Sequence, residues 1–207
     1  MPVPAEELSA VREATTRLRA LVDRTPDLLA PSLLPGWTRA HVVAHIAGNA
    51  RSHIRMLRGA QEEEVLDQYP GGAEARASAI KELAQDPAAA VEELHRSAED
   101  LAHAWRGTSD WSALARPLDS EPVPVAGLLW SRWREVEIHA VDLAGDYQAE
   151  DWPQPFLDRL LAELRTRQDL PPLDGISGPD HAMAAWLSGR SPGDGLQGDL
   201  PPLPPWR

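Results

Sequence analysis

Apolar residues recur along most of this chain at intervals of three and four, the period of an amphipathic helix. Between Ala5 and Asp23, Leu8, Val11, Leu18, Leu21 and Val22 fall on one stripe, which predicts a first helix. Pro26, Pro31, Pro35 and Gly36 then break the pattern into a loop. Thr38 is placed to cap a second helix that runs to about Arg58, with Gly59 as its stop. Its apolar face carries Val42, Val43, Ile46, Ala50, Ile54 and Leu57. Gly71-Gly72 precedes a short helix over residues 74–85. Asp86-Pro87, a capping side chain before proline at the first helical position, starts a helix to about Arg106 that Gly107 closes. A Pro-punctuated connector fills 109–124, and another long helix is predicted over 125–144, with Gly145 in the left-handed position that ends helices. Residues 154–168 read as a further helix and 180–187 as a short one closed by Gly189.

Four long amphipathic helices with few strand-like runs predict a mainly α protein. The expected architecture is a four-helix bundle with one long crossover over residues 1–151, with a small C-terminal α or α/β unit over 152–207 packed on it.

Composition narrows the function. A net charge of -12 argues against nucleic acid and anionic membrane as partners. The apolar runs, such as residues 125–130, fall far short of the roughly 20 residues a membrane span needs. Met1–Glu7 has no basic stretch followed by an apolar one, so no secretory signal is visible and the expected location is the cytoplasm. The chain has no cysteine, which excludes disulfides, cysteine metal ligands and a cysteine nucleophile. Any thiol chemistry must therefore import its sulfur on a small molecule. The run Glu62-Glu63-Glu64 reads as solvated surface.

The candidate chemistry lies in two helical segments. Glu135 and His139 are four residues apart, hence one above the other on a helix face. His45 lies at the edge of the apolar face of the second helix, where a site inside a bundle draws its ligands. Two histidines and one carboxylate make a metal set with a coordination position left open. The same spacing fits a surface ion pair and a structural histidine. His41, His45, Asn49 and His53 form a ladder, but a straight helix drifts about 40 degrees over each such step, so they cannot all face one ion. His41 is expected at the surface, with Asn49 and His53 as pocket or ligand-supporting groups. Arg132 shares the face of Glu135 and His139 and is suited to pairing with Glu135 or gripping a substrate carboxylate; it also fits a surface arginine. Asp142, one turn beyond His139, is placed to orient a ligating imidazole. His95 and His103 read as surface, and His181 as structural.

The segments 34–50 (Leu34-Pro35-Gly36-Trp37-Thr38 through His45-Ile46-Ala47-Gly48-Asn49-Ala50) and 134–143 resemble the mycothiol-dependent maleylpyruvate isomerase family, within the wider DinB-like group of metal-binding four-helix bundles. Gly178-Pro179-Asp180, residues 185–190 and the closing Leu203-Pro204-Pro205-Trp206 resemble that family's C-terminal region, although the unit looks shorter than in the isomerase. The resemblance implies zinc or another divalent metal on His45, Glu135 and His139, and a contribution to activity from Arg190. It implies mycothiol as thiol cofactor and a small electrophilic molecule as substrate; with nucleic acid and membrane set aside on charge and hydropathy, the chain is expected as a monomer or homodimer. The implied reaction is thiolate addition to the cis double bond of maleylpyruvate, rotation, and elimination to fumarylpyruvate, with Arg132 or Arg190 offsetting the enolate charge. A mycothiol S-transferase acting on another small electrophile, a metal-dependent hydrolase and a non-catalytic ligand-binding bundle stand as alternatives.

Overall fold

The computed structural model describes residues 3–118 and 120–205. Met1 and Pro2 of the N-terminal reading, and Trp206 of the closing motif, lie outside the described residues. The chain divides into two compact units, Met1–Ala144 and Gly145–Arg207.

The first unit holds α1 (Ala5–Arg24), α2 (Arg39–Gln61), α3 (Gly72–Leu83), α4 (Pro87–Arg106) and α5 (Gly127–Asp142). Its bundle is built from α1, α2, α4 and α5, with α2 packed chiefly on α4 and α1 chiefly on α5. The predicted stripes face this core: Val11, Leu18 and Val22 from α1, Ile46 and Leu57 from α2, Leu94 and Leu101 from α4, and Leu128, Val136 and Ile138 from α5 are all buried. Leu21 and Ile54 are only half-buried. The start of α4 follows from its capping chemistry, since the Asp86 carboxylate accepts from the backbone N–H groups of Ala88 and Ala89. In contrast, α3 buries fully only Ile80 within its length and begins at two glycines with positive φ.

Three expectations change. Gly59 does not stop α2, which continues to Gln61. A Cβ there would lie 2.6 Å from the Glu64 carbonyl oxygen, so the glycine lets the returning chain approach the helix closely. Gly145 does not end α5; Ala144 takes the left-handed conformation, at φ +53. The connector carries an unpredicted two-stranded antiparallel ribbon, β1 (Leu114–Ala115) with β2 (Val123–Pro124), pairing Leu114 with Pro124 and Ala115 with Val123.

The loop before α2 is tied to the end of α5. The Leu33 N–H donates to the Asp142 carbonyl at 3.0 Å, and Arg39 donates to the Ala144 carbonyl at 2.9 Å. Two carbonyls that a helix end leaves without partners are thereby satisfied.

The second unit consists of a single 3₁₀ turn at Ala149–Asp151, α6 (Gln154–Leu164) and α7 (Asp180–Leu187), with α6 packed on α7. α6 ends four residues before the predicted limit, whereas α7 has the predicted bounds. No described helix is long and apolar enough to cross a membrane.

Candidate metal centre and its cavity

His45 projects from α2 into the bundle and is 2% exposed. Glu135 and His139 project toward it from α5, from ninety residues further along the chain. His45 Nε2 lies 2.8 Å from Glu135 Oε2, and His139 Nε2 lies 3.5 Å from the same oxygen. One ligand atom from each of the three residues lies within 4.8 Å of the others. The two imidazoles meet edge to face, with centroids 4.5 Å apart. The Trp37 and His45 rings also meet edge to face, with centroids 5.7 Å apart.

The surroundings set each protonation state. Burial, and then the charge of His139, push His45 down to about 4, so its imidazole is neutral. Burial opposes the charged form of His139, but hydrogen bonds to Asp142 and Glu135 outweigh it and raise its pKa. Burial likewise opposes the Glu135 carboxylate, yet its bonds to His139 and His45 hold its pKa well below the usual range. The wholly buried Asp142 accepts from His139 Nδ1 at 2.7 Å. That bond turns the other ring nitrogen toward Glu135, the carboxylate–histidine arrangement that orients metal-ligating imidazoles. The donor set, its convergence and the oriented His139 all fit a divalent metal with two nitrogen ligands and one oxygen ligand. One contact does not suit the occupied state. Arg76 on α3 donates to His45 Nδ1 at 3.0 Å, where a ligating neutral imidazole would carry a hydrogen of its own.

Of the other predicted residues, Arg132 is wholly buried rather than at the surface. Its Nη1 donates to the Ile46 carbonyl at 2.8 Å and to Asn49 Oδ1 at 2.7 Å, while Nε and Nη2 lack hydrogen-bond partners. Burial lowers its pKa to about 10, so it stays charged at neutral pH. Asn49 and His53 are buried in the bundle. His53 Nδ1 donates to the Asn49 carbonyl at 2.8 Å. His41 is half-buried and accepts from the Thr38 N–H at 3.3 Å, so it supports the start of α2. His95 is half-buried, accepting from Arg19 and donating to Asp23. Arg190, in the second unit, donates to the Ser188 carbonyl at 2.7 Å.

Beside His45 opens a cavity of about 560 Å³, walled by α2, α3, α4 and the segment Gln68–Pro70. Neither Asn49 nor His53 lines it. Buried Gln68 fixes that segment, donating to Ser52 Oγ at 3.0 Å and accepting from the Leu118 N–H at 2.7 Å. Four arginines line the cavity. Arg51 pairs with Glu93 and Asp100, Arg96 pairs with Glu92 and Glu93, and Arg55 donates to the Asp67 carbonyl. The fourth is Arg76, whose guanidinium lies 5.3 Å from the Tyr69 ring centroid. Sequence reasoning missed Arg76, Tyr69 and Gln68, because nothing in helical spacing links α3 or this loop to His45.

Residues 8–144 match the family model described as the mycothiol maleylpyruvate isomerase N-terminal domain. No curated protein matches the chain. The crystal structure of the mycothiol-dependent maleylpyruvate isomerase is similar at a TM-score of 0.91 and 30% identity, over 100% of this chain and 98% of that one. A histidine-to-alanine mutant of that isomerase is similar at a TM-score of 0.91 and 29% identity, with the same coverage. The alignment extends over the C-terminal region of the solved structure as well as its bundle. The match takes in His45, Glu135 and His139 and well over half of the chain, and so the chain belongs to the mycothiol maleylpyruvate isomerase family.

Proposed function

We propose that this protein is a zinc-dependent, mycothiol-using enzyme that isomerises maleylpyruvate to fumarylpyruvate. The observation that carries the reading is the convergence of His45, Glu135 and His139 beside an arginine-lined cavity, in a chain of this family. When bound, zinc would hold a thiol as its thiolate, the species that adds to a cis double bond and is expelled, after rotation about the resulting single bond, to give the trans one.

The chain's own residues supply the rest. His45, Glu135 and His139 hold the metal and leave a position open. Asp142 keeps the His139 proton on Nδ1 and leaves Nε2 free to ligate. Arg132 places a fixed positive charge near Glu135 from inside the bundle, and its bond to Asn49 ties α5 to α2 at that level. The cavity opens beside His45 and brings the Arg76 guanidinium to that side of the site.

The test is turnover of maleylpyruvate by zinc-loaded protein, with and without mycothiol, followed as formation of the trans product. Thiol-dependent conversion that disappears in His139→Ala is the expected result. Protein shown to contain metal that still gives no conversion overturns the isomerase assignment and favours thiol S-transfer to another electrophile. Failure of the wild type to take up any divalent metal overturns the enzyme reading itself.

A further inference from the structure

Two features of Arg76 stand apart from the other cavity arginines. Among the described residues it has no carboxylate partner, and its Nε is buried without a hydrogen-bond partner. Its observed contacts are a donated bond to His45 Nδ1 at 3.0 Å and the face of Tyr69. A guanidinium has five N–H donors and no acceptor. It can therefore bond to Nδ1 only while that nitrogen carries no hydrogen, which puts the His45 hydrogen on Nε2, facing Glu135 at 2.8 Å.

Ligation through Nε2 reverses this arrangement. A neutral imidazole that gives its Nε2 lone pair to a metal carries its hydrogen on Nδ1, and two donors then face each other. Asp142 meets the same hydrogen on His139 with an acceptor; Arg76 cannot do so for His45. The side chain that must give way sits on α3, which buries fully only Ile80 within its length and forms one wall of the cavity. A guanidinium displaced from His45 stays in the cavity beside the metal centre, and its natural partner there is a carboxylate held by both fork nitrogens.

We propose that Arg76 is the carboxylate receptor of this site, held against His45 in the metal-free protein and released into the cavity when metal binds. The inference rests on the metal reading above. It makes metal and carboxylate binding mutually supportive, and linkage requires that each tighten the other by the same factor.

Maleate, a small cis-dicarboxylate without the keto group, serves as the probe. Its binding is measured by calorimetry on wild type with and without zinc, and on zinc-loaded Arg76→Ala, Arg76→Lys and Arg96→Ala. Zinc affinity is measured separately by competition with a chromophoric chelator. Wild type should bind maleate at least about tenfold more tightly with zinc than without it. Arg76→Ala should lose roughly tenfold or more in maleate affinity, as expected for loss of a charge-assisted pair. Its zinc affinity should stay level or rise by up to about tenfold, because the competing bond to His45 is gone. Arg76→Lys should recover part of the maleate affinity. Arg96→Ala, which removes a cavity arginine already paired with glutamates, should leave it within about twofold. Intact maleate binding in zinc-loaded Arg76→Ala, an equal loss in Arg96→Ala, or weakened zinc binding in Arg76→Ala each overturns this inference alone. Absence of zinc binding in the wild type overturns the metal reading, and this inference with it.

Discussion

Acid should unfold this protein partly through His53. The ring is wholly buried in the bundle, with Nδ1 donating to the Asn49 carbonyl and Nε2 without a hydrogen-bond partner. Burial, and then the positive charge of Arg132, lower its pKa from the ordinary 6.5 to about 4. Between those two values the unfolded chain binds more protons than the folded one, so stability falls as pH falls. Each pH unit of displacement is worth about 1.4 kcal/mol, which makes His53 responsible for a loss of about 3 kcal/mol between pH 7.5 and pH 4. The perturbation is His53→Gln, which keeps a polar side chain but removes the titration. The assay is urea unfolding of wild type and variant across that range, with chelator present so that metal plays no part. Carboxylates and His45 titrate in both proteins and cancel in the difference. The wild-type advantage over the variant should shrink by about 3 kcal/mol as the pH falls, with most of the loss between pH 6.5 and 4. A difference that stays flat with pH refutes the assignment of a neutral, burial-depressed His53.

Three further outcomes are expected. Asp142→Asn should weaken zinc binding by about 10- to 100-fold in a chelator competition while leaving the helical circular-dichroism signal unchanged, because the variant can present an amide donor to His139 Nδ1 in place of the carboxylate acceptor. Gly59→Ala should destabilise the fold by about 1–3 kcal/mol in urea unfolding, since the new Cβ would lie 2.6 Å from the Glu64 carbonyl oxygen and 2.7 Å from Leu66 Cγ. Ala144→Gly should instead stabilise it, by about 0.5 kcal/mol in the same assay: it relieves a left-handed alanine at φ +53, partly offset by the extra freedom of glycine in the unfolded chain.

The bundle was legible wherever local chemistry and periodicity agreed. Asp86-Pro87 marked the start of α4 because capping and a fixed proline φ act within a few residues, and the stripe from Leu8 to Val22 marked α1 because burial follows the helical period. Local rules failed where a distant segment decided the outcome. Gly59 carries the usual sign of a helix end, but it is glycine because residues 64–66 pass over it. Gly145 had the better claim to the left-handed position, yet the turn falls on Ala144, whose carbonyl Arg39 holds from α2. The ligand candidates were readable from spacing because two of them share a helix face. The Arg76 contact was not: Arg76 reaches His45 across 31 residues, from a short helix with little periodic signature of its own. The inward course of Arg132 was equally hidden, since its partners, the Ile46 carbonyl and Asn49, belong to another helix.

The tie between the start of α2 and the end of α5 has a thermodynamic consequence. It fixes α2 and α5, which carry His45, Glu135 and His139, at adjoining ends, through the Leu33 N–H bond to the Asp142 carbonyl and the Arg39 side-chain bond to the Ala144 carbonyl, and neither bond involves a candidate ligand atom. The three candidate ligands are thus brought together by folding itself, and in the proposed metal-bound state only the Arg76 contact to His45 has to give way. Binding free energy then goes into affinity rather than into assembling the site, the reverse of a zinc finger, which is unfolded without its metal. Without metal the first unit should therefore keep its helical circular-dichroism signal and unfold cooperatively, and an ion that binds should raise that transition by mass action.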